Sequence, residues 1–248
     1  MLSLRKTNQF AGVHFASRIA QYGIHRVFLF NENRFIWSGK RIMTMQDVTL
    51  ILAWIVIFLV TVTVHEVAHG VVAYLRGDQT AKAMGRLTLN PLRHIDLFWT
   101  ILLPVVLLVS TGGRFMIGMA KPVPVNFSNL HRPKLDMILV ALAGPLANII
   151  FAGFLASLIR MTHNPLLLLG VYFNLGLAVF NLIPIPPLDG SRILAGILPR
   201  PLDRQYLRLE PYGFWIVLIL YFTGLLYTWV IPGINLLTAF LGVPRLNL

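Results

Sequence analysis

Apolar runs at 48–64, 95–109, 135–159, 165–183 and 212–231 constrain this chain more than any other feature. A helix needs roughly 20 mostly apolar residues to cross a bilayer core of about 30 Å. Several of the runs meet that length as continuous blocks and not as amphipathic stripes. They predict an all-α polytopic membrane protein, a transmembrane helix bundle. A soluble fold with an outsized core fits poorly, because only 12% of the residues are charged against about 25% in soluble domains.

The net charge of +12 does not point to nucleic acid. Lys and Arg fall in short connectors between apolar runs, with no aromatic-interleaved basic face, as expected of residues that flank membrane spans. The chain has no cysteine, so a metal would have to be held by His, Asp or Glu.

The domain organisation reads as a basic extension over 1–44, one membrane domain over 45–240 and a tail over 241–248. The extension carries Arg5, Lys6, Arg18, Arg26, Arg34, Lys40 and Arg41 against one acid, Glu32. It reads as an interfacial segment, a transit-like presequence or upstream sequence from a misassigned start. Arg76, Lys82, Arg86, Arg93, Lys121, Arg132, Lys134, Arg192, Arg200, Arg204 and Arg208 lie in connectors that can share one side. Only Arg160 and Arg245 fall opposite. That asymmetry makes the first side cytoplasmic. Parity then requires residues 95–133 to return to the side they left, as a re-entrant hairpin between the first span and the span containing AGPLAN. Irregular backbone at membrane depth is tolerated only where it is buried in protein or lines a cavity. The same parity puts the basic extension outside, which favours initiation at Met43 or Met45.

Against this apolar background, TVTVHEVAHGVVAYL (61–75) stands out. His65 and His69, four apart, share a helical face, and both imidazoles can reach one tetrahedral ion. Glu66 is placed to take a proton from activated water instead of binding the metal. A charged residue inside an apolar run is costly to bury, so a functional site is the default reading. A third ligand is needed. Asp189, in IPPLDGSRIL at the end of the fourth run, lies on the side where the first run ends. Its alternative role is to cap a helix beginning near Ser191. Asp96 in NPLRHID is a rival ligand, although a role as turn former or outer partner suits it better.

HEVAH, NPLRHID, AGPLAN (143–148) and NLIPIPPLDG (181–190) together resemble the site-2 protease family of intramembrane zinc metalloproteases, peptidase family M50. The resemblance covers about 45–240 and is nearest to the compact bacterial branch without PDZ or CBS domains. It implies one Zn2+ held by His65, His69 and Asp189, with Glu66 as general base, in the bacterial cytoplasmic membrane with the site toward the cytoplasm. The partners implied are the lipid bilayer and the helix of a membrane-protein substrate; oligomeric state is left open. Asn148 is similar to an Asn that supports the site near the scissile carbonyl, with helix packing as its alternative. Relatives usually read HIDPxGT where this chain has HIDLFWT (94–100), and often WAKPVPV where it has MAKPVPV (119–125). Phe98 and Trp99 thus replace small residues in the expected hairpin. His94 is a further outer partner or transient ligand, or a solvated connector residue. The PVPV stretch is either a rigid turn or an edge to which an unwound substrate pairs.

Two other functions use the same residues. An ion- or proton-coupled transporter could run a relay through the buried His/Glu/Asp cluster, although no paired repeat is visible. A catalytically silent binding module would have no use for Glu66.

Overall fold

The computed structural model describes residues 45–110 and 120–246. The expectations for the basic extension at 1–44, and for the tip of the hairpin at 111–119 with Met119, lie outside the described residues, as does the side chain of Trp99. Most of the described chain forms one compact unit, from 43–103 and 118–247. Within it, among the described residues, the regular structure is entirely helical.

The first apolar run forms α1, Met45–Leu75. Its stretch Leu52–Leu75 is long and apolar enough to cross a membrane. The short α2 follows, Thr80–Ala83. Asp96 then acts as a turn former: its Oδ1 accepts the Phe98 N–H, and its own N–H donates to Thr100 Oγ1. A π-helical stretch, Leu97–Leu102, leads into α3, Leu103–Ser110. All of α3 but its first residue belongs to a second compact unit. Pro104, which cannot donate a backbone hydrogen bond, lies where the π-helical stretch gives way to α-helix.

The third run forms α4, Pro133–Thr162, a second helix suited to crossing a membrane. The fourth forms α5, Leu166–Asn181, 16 residues long. At 1.5 Å per residue α5 extends only about 24 Å, less than the run over 165–183 would give. Pro184, Pro186 and Pro187 stop it early and hand the chain to α6, Asp189–Ile197, and α7, Leu202–Leu207. The last run is not one straight helix. It forms α8, Gly213–Phe222, and α9, Leu225–Leu241, bent by 82° at the break between them. Gly224 carries the break at φ +77°, a conformation open to glycine, while Pro232 lies inside α9. Together Leu202–Phe222 and Leu225–Leu241 are apolar enough for one broken span or a re-entrant loop. By length and composition these helices suit an integral membrane protein.

Helix α4 is the hub, packed against α1, α5 and α6. Between α1 and α5, Asn174 donates to Thr61 Oγ1 at 2.9 Å with both residues fully buried. Trp54 and Phe58 meet Phe173 edge to face. At the far end of α1, buried Asp78 ties the connectors together. Its carboxylate accepts Thr80 Oγ1, the N–H groups of Thr80 and Asn126, and Asn129 Nδ2.

Candidate metal centre

His65 and His69 lie one turn apart on α1, and both are buried. Their Nε2 atoms are 3.0 Å apart. Asp189, the first residue of α6, places its Oδ2 3.2 Å from His65 Nε2 and 3.3 Å from His69 Nε2. A tetrahedral ion with ligand bonds of 2.0–2.1 Å separates its ligands by about 3.3–3.4 Å, so the triangle has the size of one face of such a site. No other group of three potential ligands gathers this closely among the described residues.

The surroundings bear on what the middle could hold. His69 Nδ1 lies 2.7 Å from the Val140 carbonyl, which can only accept, so the ring donates there and turns a lone pair inward at Nε2. His65 Nδ1 lies 3.2 Å from Asn148 Nδ2, while Asn148 Oδ1, also buried, has no hydrogen-bond partner. Turning that amide end for end, which its shape allows, would give Oδ1 its missing partner in His65 Nδ1–H and leave His65 Nε2 facing inward as a lone pair. Asp189 Oδ2, although buried between the two rings, accepts no well-directed hydrogen bond. Three electron-rich atoms therefore face one another within 3.3 Å, an arrangement that repels itself until a cation is placed among them. Two imidazoles and a carboxylate are the donor set of a zinc site that keeps a fourth position open.

One face of α4 forms the back wall. Val140, Gly144 and Asn148 follow each other at four-residue spacing, so they stack on one side of the helix. The outer two hold the two imidazoles, antiparallel to α1. Gly144 faces the imidazoles themselves: an added Cβ would stand 2.6 and 2.7 Å from His65 Cε1 and Nε2, and nearer still to His69 Nε2. The absent side chain leaves the volume an ion requires. Sequence reasoning passed over Gly144 and Val140. The signal was present for Gly144, which precedes Asn148 by one turn in AGPLAN.

Asp189 does not cap α6 with its side chain; the carboxylate points to the histidines. Gly190 permits this, because a Cβ there would collide with the Leu182 and Ile183 carbonyls, so the turn after α5 closes tightly against α6. Glu66 is directed elsewhere on α1, and its Oε2 accepts the Val123 N–H at 2.7 Å. His94 is not a solvated connector residue: it is buried and its Nε2–H donates to the Thr88 carbonyl at 2.9 Å. Neither His94 nor Asp96 joins the ligand group.

Comparison with known proteins agrees with this geometry. The family model for peptidase family M50 matches residues 53–164 and 157–223. A Bacillus subtilis protein named "Putative zinc metalloprotease YwhC" is 38% identical over 207 residues, covering 78% of this chain and 87% of the relative. The chain belongs to peptidase family M50. Two mycobacterial proteins named "Putative zinc metalloprotease Rip2" are also similar. The one from Mycolicibacterium smegmatis is 30% identical over 75% of this chain and 73% of its own length. The one from Mycobacterium tuberculosis is 31% identical over 69% and 67%. No solved structure matches the chain. Family and site together make this M50 protein a metallopeptidase whose ligand set suits Zn2+.

Proposed function

We propose that the chain is a zinc-dependent intramembrane endopeptidase that hydrolyses peptide bonds in or near transmembrane segments of membrane proteins. The observation that carries this reading is the convergence of His65, His69 and Asp189 on one point beside a helix that is itself a candidate span. His69 precedes the end of α1 by six residues, about 9 Å of helix, and His65 follows Leu52 by thirteen, about 20 Å. A site at that depth in a span acts on bonds within the bilayer, reached by water from the nearer end, which the basic connectors mark as cytoplasmic.

His65, His69 and Asp189 hold the ion. When bound, zinc supplies Lewis acidity to water and to the scissile carbonyl. Glu66, adjacent to the first ligand, receives the proton of the attacking water and returns it to the leaving amine. Val140 and Asn148 fix the imidazole tautomers so that both Nε2 lone pairs face inward. The substrate is the helix of another membrane protein, locally unwound to expose the bond. The 122–125 stretch, which meets α1 at Glu66, is where such a strand would lie. A proton relay for transport has less support, because both histidines are committed through Nδ1 to fixed partners.

The test is turnover of a co-reconstituted membrane-spanning substrate, with zinc content measured on the same preparations. Glu66→Gln should keep one zinc and abolish cleavage, whereas Asp189→Ala should lose both. Undiminished cleavage by Glu66→Gln rejects the assigned base, and full zinc in Asp189→Ala rejects the ligand set.

A further inference from the structure

The catalytic machinery of HExxH peptidases is usually described by side chains, yet here a main-chain group reaches it. Glu66 Oε2 accepts the Val123 N–H at 2.7 Å, a short charge-assisted bond. Val123 lies between Pro122 and Pro124. Prolines carry no N–H and fix their own φ, so Val123 provides the only backbone donor between Lys121 and Val125.

The segment is held in place around that donor. Lys121 N–H donates to the His94 carbonyl at 2.9 Å. The buried Arg86 guanidinium donates to the Lys121 carbonyl at 2.8 Å and the Pro122 carbonyl at 3.3 Å. Asn126 N–H donates to Asp78 at 2.7 Å. Restraints on both sides of Val123 thus fix the direction of its N–H. On α1, Gly70 follows Glu66 by one turn and shares its face. A Cβ on Gly70 would stand 2.8 Å from Val123 Cγ1 and 2.5 Å from Leu87 Cδ2. The bare backbone at Gly70 is what lets the segment approach α1 at the level of Glu66.

We infer that Val123 is a positioning residue whose backbone N–H, brought to α1 over Gly70, fixes the rotamer of Glu66 so that one carboxylate oxygen is anchored and the other is left for the attacking water. The inference rests on the peptidase reading for its effect on turnover, but the bond itself can be tested without turnover.

Amide hydrogen exchange on protein labelled with 15N-valine reads the bond directly. Glu66→Ala should speed exchange at Val123 at least ten-fold; equal rates in the two proteins overturn the inference even if the peptidase reading stands. Turnover then compares Val123→Pro, which deletes the donor, with Val123→Ala, which shortens the side chain and keeps it. The proline variant should have a kcat at least about ten-fold lower, a part of the 10²–10⁴ that general acid–base catalysis contributes, with KM and zinc content within two-fold. Equal kcat values overturn it. Should Val123→Pro fail to bind zinc, Gly70→Ala replaces it. Faster Val123 exchange with lowered kcat and retained zinc supports the inference, and wild-type exchange and kcat refute it. Absence of turnover in the wild-type, zinc-loaded protein would reject the peptidase reading and leave the exchange result to decide this one.

Discussion

Replacing Gly144 by alanine should empty the metal centre while leaving the helix that bears it intact. The added Cβ would lie 2.6 Å from His65 Cε1 and 2.7 Å from His65 Nε2, and closer to His69 Nε2. Ordinary contact needs at least about 3.4 Å, so the ligand atoms must retreat by roughly 0.7 Å or more. Metal sites tolerate ligand displacements of about 0.2 Å. Loss of an outer partner alone typically costs 10–100-fold in metal affinity, and displacing ligands directly should reach at least the upper end, about 2.7 kcal/mol. The assay is zinc per chain across a series of buffered free-zinc concentrations. Gly153, on the same helix, supplies the control: a Cβ there meets only Leu241 Cδ2 at 3.6 Å. Gly153→Ala should bind zinc as the wild type does and gain up to about 1 kcal/mol of helix propensity. A Gly144→Ala protein with wild-type zinc affinity would refute the assignment of α4 as the wall of the site.

Two further predictions follow from the same contacts. Asn148→Leu removes the partner of His65 Nδ1 and should weaken zinc binding 10–100-fold; unchanged affinity in the buffered titration would reduce Asn148 to helix packing. For Asp78, burial works to raise the carboxyl pKa, but the bonds from Thr80, Asn126 and Asn129 outweigh it and hold the group below the usual carboxylate range. A pKa depressed by folding adds stability above the unfolded value, near 3.9, and loses it as pH falls through the lower folded value. Asp78→Ala should therefore cost at least about 2 kcal/mol near neutrality, a gap from the wild type that closes in acid. Thermal unfolding in detergent between pH 3 and 7 checks it, and a gap that stays constant or widens in acid contradicts the assigned network.

The sequence by itself determined the class of the fold and the chemistry of the centre. Long apolar blocks are a property of composition, and a four-residue His spacing is converted to a shared face by the fixed geometry of one helix, so neither depends on distant contacts. Local sequence also carried the break after α5, because prolines act on their own backbone. It did not locate the bend at Gly224, since a glycine in a uniformly apolar run is compatible with a straight span as well as with the 82° turn. Nor did it distinguish a capping from a ligating Asp189: both suit Asp before Gly-Ser, and only the packing of α6 and α5 against α4 aims the carboxylate at the histidines. The tertiary structure alone paired Val140 and Asn148 with the two imidazoles, cleared Gly144 for an ion, buried His94 and brought Val123 to Glu66. Backbone groups have no residue-type signature, and a glycine does not say what it makes room for, so their part in the site emerges only when helices far apart in sequence are brought face to face.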